Sequence, residues 1–390
     1  MPSMAKDHMK PIRYPLLDPL RGIAALWVFA FHYHFSEQFQ STCPHFHSIF
    51  KLGDLGVPMF FVISGFCITA AARTTILKDR PCSDFLYRRA RRIYPTFWLS
   101  ILVVVSVPFA IEAISSLKTG QYTPPSSDNL NYGFIKYDIT DWICVVSLAK
   151  VFEPDAQATN LQFKFTTVNS VYWTLAIEVQ FYLVVALALL FRQRFYAAIV
   201  VTTFISFAAA AYPVVYESGV FFPYWWMFAL GVLLHMLVER GITPIRLFGS
   251  YRAIVLAAVL LGLVAHLVAS PHDLPFHGEI FAILFFAVLF AAFDCQSDLP
   301  RRWSLSRVAV AVVAGLGAMS YSIYLIHGRV QFLSMQVARQ ITSPEAILFD
   351  CLVFLVTLML CGVFYFACER PFVKVSPSRP TEDARAVMSA

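Results

Sequence analysis

Long apolar runs recur along the chain, and each is long enough to cross the hydrocarbon core of a bilayer, which needs about 20 residues of helix. They begin near Leu20, Leu55, Ile93, Val171, Phe195, Phe221, Ile254, Phe276, Val308 and Ala346. Charged residues make up 14% of the sequence, against about 25% in a typical soluble domain, so polar groups cannot cover a globular surface. The sequence predicts an all-α fold, a polytopic integral membrane bundle of about ten transmembrane helices.

The positions of the basic residues predict how these helices cross, because cytoplasmic connections are enriched in lysine and arginine. The connection 73–92 holds seven such residues, and clusters near 192, 240–252 and 301–307 fall on the same side when ten crossings are counted. Both termini are then cytoplasmic. Segment 141–152 is apolar but too short to cross, so we predict an interfacial or re-entrant segment there. The net charge of +6 is small and dispersed, and does not indicate nucleic acid binding.

The first apolar run carries two charged residues at its start and a histidine within the predicted helix. Asp18 and Arg21 are three residues apart and share a helix face. His32 follows Arg21 by eleven residues, about 16 Å at 1.5 Å per residue, which is roughly halfway across the hydrocarbon core. A titratable group at that depth is costly unless it faces the protein interior or a wet cavity, so His32 is a candidate functional residue. The competing interpretation is an ordinary interhelical hydrogen-bond partner.

Four arginines stand within five residues at the entrance of the third predicted helix. Arg88 and Arg92, or Arg89 and Arg92, share a helix face. Orientation alone would place arginines here, but the guanidinium fork also suits phosphate oxygens, so the cluster predicts a phosphorylated donor in the cytosol. Anionic lipid headgroups are the alternative ligand.

Two later helices carry polar residues within apolar runs. Glu178 lies about two turns into the fourth predicted helix, where it could orient an imidazole, accept a hydrogen bond from a substrate hydroxyl or pair with an arginine such as Arg21. Ser322, Tyr324 and His327 fall in a stretch that we expect to close the ninth helix at its outer end. Tyr324 and His327 share a face, and His327 could be either a substrate contact or an interfacial residue.

The sequence contains no H-E-x-x-H motif, no cysteine and histidine cluster, no G-x-S-x-G elbow and no P-loop. His32 and His34 are two residues apart and point to different helix faces, which is a poor arrangement for one metal ion. We therefore expect chemistry without a metal, with His32 as the base. Cys43 and Cys144 both fall on the predicted outer side, where a disulfide could form but is not required.

Six motifs resemble those of the acyltransferase-3 family, the integral membrane O-acyltransferases that modify bacterial surface polysaccharides and related glycans. In chain order they are D-x-x-R-G-x-A at 18–24 followed by His32, G-D-L-G-V-P-M-F-F-V-I-S-G-F at 53–66, R-R-x-x-R-I-Y-P at 88–95, W-T-L-A-I-E-V-Q-F-Y at 173–182, S-I-Y-L-I-H at 322–327 and E-x-P at 369–371. Two positions depart from the family pattern. Thr174 stands where serine is usual, and Val179 stands where a second acid often follows, which leaves Glu178 alone.

The resemblance implies transfer of an acyl group, with acetyl as the first candidate, from cytoplasmic acyl-CoA to a hydroxyl of an outward-facing glycan or lipid-linked sugar. The enzyme would lie in the inner (plasma) membrane. No cofactor would bind tightly, since acetyl-CoA or another acyl-CoA acts as co-substrate. Residues 1–375 would form the transmembrane domain and 376–390 a disordered cytoplasmic tail. The expected site comprises the catalytic residues His32, Arg21, Asp18 and Glu178, the donor-binding residues Arg88, Arg89 and Arg92, and the acceptor-binding residues Ser322, Tyr324 and His327.

In the mechanism that we expect, His32 acts as general base on the acceptor hydroxyl. Arg21, held by Asp18, neutralises the oxyanion or the thioester carbonyl. A covalent acyl-histidine intermediate is a variant of this route. The alternative function is a proton-coupled transporter of a glycan or small metabolite, with His32 and Glu178 as a relay, and a membrane scaffold is the third.

Overall fold

The computed structural model describes residues 14–76, 78–125, 130–153, 161–212, 214–269, 276–295 and 307–373. Every regular element within those ranges is a helix. The α-helices, numbered in chain order, are α1 (Leu17–His32), α2 (Glu37–Thr42), α3 (Pro44–Lys51), α4 (Gly56–Arg73), α5 (Pro81–Thr119), α6 (Ile139–Ser147), α7 (Tyr172–Leu190), α8 (Phe195–Ala210), α9 (Val214–Glu217), α10 (Phe222–Glu239), α11 (Pro244–Phe248), α12 (Arg252–Ala269), α13 (His277–Ala292), α14 (Arg307–Ala318), α15 (Ser320–Ala338) and α16 (Ile347–Phe364). A π-helical turn at Tyr365–Glu369 continues α16. The predicted tail 376–390 lies outside the described residues.

Among the described residues, seven helical stretches of at least 18 residues are apolar enough to cross a membrane. They are Gly53–Arg73, Pro81–Leu117, Tyr172–Leu190, Arg192–Ala210, Phe222–Glu239, Pro244–Val268 and Ile347–Glu369. α13 is apolar as well but has only 16 residues. The predicted all-helical membrane fold is therefore confirmed, while the count of about ten crossings stays a prediction.

The outer helices of the bundle present apolar surface over most of their circumference. In the stretch Pro244–Val268 none of the apolar window is buried inside the protein. Leu261 is 69% exposed, Val268 83% and Phe204, on α8, 72%. Soluble monomers rarely expose contiguous apolar surface on this scale, so lipid must cover these faces. The chain is a multi-pass membrane protein.

The segment around 141–152 forms α6 and a 3₁₀ turn at Ala149–Phe152, and neither is long enough to cross, as the sequence predicts. One helix boundary departs from the prediction. The ninth apolar run is divided at Met319, so Ser320 opens a new helix instead of closing the old one. α15 then continues past Arg329, whose guanidinium donates to three backbone carbonyls of residues 166–168 at 2.6–3.0 Å. A hydropathy scale treats a charged residue such as Arg329 as unfavourable in a buried helix. Burying this guanidinium costs little, because its donors have hydrogen-bond acceptors.

α4 and α10 pack backbone to backbone at the centre of the bundle. A Cβ atom on Gly65 would lie 2.1 Å from the carbonyl oxygen of Phe228, and one on Gly231 would lie 2.0 Å from that of Val62. Only glycine fits at either position, as is usual where membrane helices approach closely. This contact fixes α4, which lines the cavities described below.

The two ends of the bundle differ in charge. At one end Arg73 pairs with Glu239 (2.7 Å) and the guanidinium of Arg192 donates to the carbonyl of Lys78 (3.4 Å). We call this the arginine end. The opposite end, which we call the histidine end, contains the last turn of α1 with His32 and the first turns of α4 and α7. The described basic connections that the sequence assigns to the cytoplasm meet at the arginine end.

Candidate active site

The first helix ends at the candidate base. His32 is the last residue of α1, and Tyr33 is extended at φ −94° and ψ 129°. The prediction that His32 lies within a longer helix is therefore wrong. The reason is a tertiary contact: the buried carboxylate of Asp350, on α16, accepts hydrogen bonds from the Tyr33 hydroxyl (2.7 Å) and the Ser36 hydroxyl (2.6 Å). These bonds draw the chain out of the helix directly after His32.

The imidazole of His32 is held in one tautomer by its own helix. Its Nδ1 lies 2.9 Å from the carbonyl oxygen of Val28. A carbonyl only accepts, so Nδ1 carries the hydrogen and Nε2 keeps a lone pair. This is the arrangement that a general base requires.

His32 lines a cavity of about 230 Å³ at the histidine end, which we call the histidine cavity. Asp54, Ser170 and Tyr324 contribute polar groups to its wall, and Trp173 and Tyr224 contribute aromatic faces. The Trp173 and Tyr224 rings pack against each other with centroids 5.1 Å apart. The half-buried His32 ring is thus reachable from a space that combines hydrogen-bonding groups with stacking surfaces.

Two smaller cavities continue from this space toward the arginine end. The middle cavity, of about 40 Å³, is lined by Arg21, Glu178 and Tyr321, and it shares Tyr324 with the histidine cavity. The arginine cavity, of about 30 Å³, is lined by Arg21, Arg89, Arg92, Cys67, Glu178, Tyr182 and Tyr321 among others. Because successive cavities share wall residues, they form one row from the arginines to His32.

The arginine cavity carries net positive charge. The guanidinium groups of Arg21, Arg89 and Arg92 face one carboxylate, that of Glu178, which accepts hydrogen bonds from the hydroxyls of Tyr182 (2.8 Å) and Ser64 (3.1 Å). The side chain of Arg92 is exposed as well as lining the cavity. Guanidinium groups are permanently charged and match the geometry of phosphate and carboxylate oxygens. The cavity therefore has the charge that an anionic ligand requires.

A family model described as an acyltransferase domain matches residues 14–366. The chain belongs to the acyltransferase-3 family. The resemblance drawn from the six sequence motifs is thereby confirmed, and the chain is assigned to the enzymes that move acyl groups.

Curated relatives of this acyltransferase-3 chain match about half of it. The peptidoglycan O-acetyltransferase OatA of Listeria monocytogenes is 32% identical over 174 residues, which are 44% of this chain and 23% of that protein. A putative O-acetyltransferase of Staphylococcus aureus is 31% identical over 197 residues (48% and 27%), and a putative peptidoglycan O-acetyltransferase of Bacillus subtilis is 27% identical over 214 residues (53% and 29%). The chain thus spans about a quarter of the length of these relatives. No solved structure matches it.

The acyltransferase-3 motifs divide into residues that line the row of cavities and residues that do not. His32, Arg21, Glu178, Arg89, Arg92 and Tyr324 line it. Arg88 and Asp18 are exposed and lie outside the three cavities, and within the described part of the chain Asp18 forms no ion pair with Arg21. Ser322 is fully buried, and its backbone N–H and hydroxyl donate to the buried carboxylate of Glu369. His327 is fully buried behind His32, with ring centroids 5.4 Å apart.

Arg21 and His32 line different cavities. Both lie on α1, and eleven residues at 1.5 Å each separate them by about 16 Å. Long helical side chains also lean toward the N-terminus, which takes Arg21 further from His32. Arg21 lines only the middle and arginine cavities. The expectation that Arg21 neutralises an oxyanion beside His32 stays a prediction.

Several wall residues of the cavities were absent from the predicted site, Asp54, Tyr224 and Tyr321 among them. Asp54 lies in the turn before α4, Tyr224 in the first turn of α10, and Tyr321 beside the predicted Ser322. Asp54 falls within the motif at 53–66. It was not predicted as a site residue because an acidic residue in a loop looks like an ordinary surface residue. The described residues contain no group of three or more histidine, cysteine or acidic side chains that could hold a metal ion, and Cys43 and Cys144 are free thiols.

Proposed function

We propose that this chain is a membrane O-acyltransferase that moves an acyl group from acyl-CoA to a hydroxyl of a glycan or lipid-linked sugar. Acetyl is the first candidate for the acyl group. The observation that carries the proposal is the row of three cavities, which joins an anion site at the arginine end to a general base at the histidine end. Family membership fixes the class of reaction, and the row of cavities supplies a route for it.

The donor fits the arginine end. Arg89 and Arg92, with Arg21 deeper in the bundle, would bind the phosphates of CoA, because guanidinium groups form charge-assisted bidentate bonds to phosphate oxygens. The acyl thioester would then extend through the middle cavity. The donor must then extend about 16 Å from Arg21 to reach the base. This distance is the rise of α1 from Arg21 to His32 at 1.5 Å per residue.

The acceptor fits the histidine end. A sugar has polar edges and an apolar face, and Trp173 and Tyr224 offer aromatic faces beside the hydrogen-bonding groups of Ser170 and Tyr324. The relatives named as peptidoglycan O-acetyltransferases support a glycan of the cell envelope as the acceptor. This choice replaces Ser322 and His327, which are buried away from the cavities, by residues on the cavity wall.

The reaction follows from this placement. Nε2 of His32 takes the proton of the acceptor hydroxyl as its oxygen attacks the thioester carbonyl carbon. A C–O bond forms, the tetrahedral oxyanion collapses, and the C–S bond breaks. The CoA thiolate then receives the proton from His32, so that an ester and free CoA are the products and the base is restored. A preformed tautomer at His32 lowers the entropic cost of the first step.

We further propose ten crossings with both termini at the arginine end, facing the cytoplasm. Together with the seven long apolar stretches, α1, α13 and α15 would make ten crossings, while α14, with 12 residues, is too short to cross. Donor would then enter from the cytosol and acceptor from the outer face of the inner membrane.

One assay tests the function. The purified protein in lipid nanodiscs is given acetyl-CoA labelled on the acetyl group, together with peptidoglycan fragments or lipid-linked sugars. We expect label in alkali-labile ester linkage on the glycan. Label trapped on the protein without acceptor would favour the acyl-histidine route. If the label stays on CoA for every acceptor while a glycan crosses the membrane with protons, the chain is a transporter and the proposal fails.

A further inference from the structure

Asp54 and His32 line the same cavity, and among the described residues on its wall they are the one carboxylate and the one imidazole. We propose that Asp54 is a positioning residue for His32, whose carboxylate stabilises the imidazolium that forms when His32 takes the acceptor proton. The inference rests on the proposed function, because it concerns the base of that reaction. It assigns a role to a residue that lies outside the predicted site.

Asp54 is held near His32 by backbone contact. It lies in the 3₁₀ turn Gly53–Leu55, which leads into α4. A Cβ atom on Gly53 would lie 2.1 Å from the carbonyl oxygen of Trp27 and 2.7 Å from Cβ of Phe31. The turn therefore touches the last turn of α1, and only glycine permits that approach. The position of the carboxylate relative to His32 is consequently fixed by two rigid segments.

The carboxylate is placed to act through its charge. Oδ1 of Asp54 is shielded from solvent, and its electrostatic field reaches the His32 ring. Charges that are shielded from water interact more strongly than charges on the surface. Nδ1 of His32 already donates to the Val28 carbonyl, so the tautomer is fixed without Asp54. What remains for the carboxylate is to balance positive charge on the ring.

The other titratable groups around His32 cannot supply this balance. His327, on α15, has its ring centroid 5.4 Å from that of His32, and its Nδ1 lies within 3.0 Å of the carbonyls of Ile323 and Tyr324. His34, two residues after His32, is another imidazole whose charge would act on the His32 ring. A second imidazole opposes protonation of the first when both are charged, whereas a carboxylate favours it. Of the described wall residues, Asp54 alone can stabilise the imidazolium by opposite charge.

The test compares Asp54→Asn with a matched control, Glu37→Gln, which removes an exposed carboxylate five residues after His32 and outside the cavity. We expect Asp54→Asn to lower kcat about tenfold, the factor that corresponds to one pKa unit of lost charge interaction. The KM values for acceptor and donor should stay within about twofold of the wild-type values, which corresponds to roughly 0.4 kcal/mol of binding free energy. Asp54→Glu should recover part of kcat, and Glu37→Gln should match the wild type.

The pH profile separates an electrostatic role from a structural one. A carboxylate favours the protonated ring, so its removal should leave His32 unprotonated to lower pH, and the acidic limb of the kcat profile should move to lower pH. A second readout needs no turnover: diethyl pyrocarbonate modification of His32, followed by mass spectrometry against pH, should shift in the same direction in Asp54→Asn only.

Each outcome decides a distinct point. Superimposable pH profiles for Asp54→Asn, Glu37→Gln and the wild type would overturn the inference. A raised acceptor KM with unchanged kcat would make Asp54 an acceptor ligand instead, and would also overturn it. If His32→Ala keeps full activity while the modification profile still shifts in Asp54→Asn, the base assignment fails but the coupling of the two residues stands.

Discussion

The arginine cavity and the histidine cavity lie in one row but are built from different kinds of charge. The arginine cavity combines Arg21, Arg89 and Arg92, which stay charged at any physiological pH, with Glu178. The histidine cavity has one imidazole and one carboxylate among aromatic rings. Permanent positive charge suits a ligand that stays anionic at physiological pH, such as a phosphate. A single titratable ring suits a neutral hydroxyl that must lose a proton. Donor binding and acceptor activation should therefore be separable by mutation.

The largest effect is expected at the histidine end. His32→Ala should fold and should bind acyl-CoA as the wild type does, yet acyl transfer should fall by about 10² to 10⁴, the usual loss when a general base is removed. Single-turnover transfer and equilibrium binding of CoA measure the two properties separately. Near-wild-type transfer by this variant would break the comparison, because the histidine cavity would then contain no base.

The arginine end should show the opposite pattern. Arg89→Ala and Arg92→Ala should each raise the KM for acyl-CoA by about tenfold or more, since a lost charge-assisted contact costs about 1.5–3 kcal/mol. The kcat at saturating donor should change far less. Arg91→Ala removes a neighbouring arginine that does not line the cavity and serves as the control. Equal donor KM values in all three variants would return the cluster to a role in orienting the helix.

A third prediction concerns the clamp that ends α1. Asp350→Ala would leave the Tyr33 hydroxyl and the Ser36 backbone and hydroxyl groups without their acceptor, at about 1–3 kcal/mol for a buried donor left unsatisfied. We expect a lower midpoint of thermal unfolding and a lower kcat, with the donor KM unchanged because the arginine cavity is distant. Asp350→Asn keeps one acceptor oxygen and should lose less. A loss of donor affinity would show that the two ends are not independent.

The smallest effect is expected in the connection between α5 and α7, outside the membrane-spanning helices. The ammonium group of Lys150 donates to Asp141 (2.8 Å) and holds the pKa of that carboxyl below its usual range. Stability from a lowered carboxyl pKa is present above the unfolded value of about 3.9 and is lost as the pH falls. Asp141→Asn should therefore cost under about 1 kcal/mol at pH 7, because the Asp141 side chain is partly exposed and Lys150 keeps its ion pair with Glu153. The difference from the wild type should shrink as the pH falls below about 3.9. Unfolding midpoints at pH 7 and pH 3 check this, and a difference of the same size at both pH values would contradict it.

Several features of the site could be predicted from residue spacing, and others could not. The spacing allowed either Arg88 or Arg89 to share a face with Arg92, and the structure places Arg89 with Arg92 on the cavity wall while Arg88 is exposed. Spacing along one helix cannot show which face meets a partner, because the partner comes from a distant part of the chain. Ser322 is a similar case, since its hydroxyl donates to Glu369, 47 residues away.

The sequence by itself determined the helical membrane class and the family, because apolar length and short motifs are local properties. Only the tertiary structure decided where α1 stops and which wall residues surround His32. It also decided that Arg21 lines the same cavity as Arg89 and Arg92. Those outcomes depend on contacts such as Asp350 with Tyr33 and Gly53 with Trp27, which join segments that no periodicity or spacing in the sequence connects.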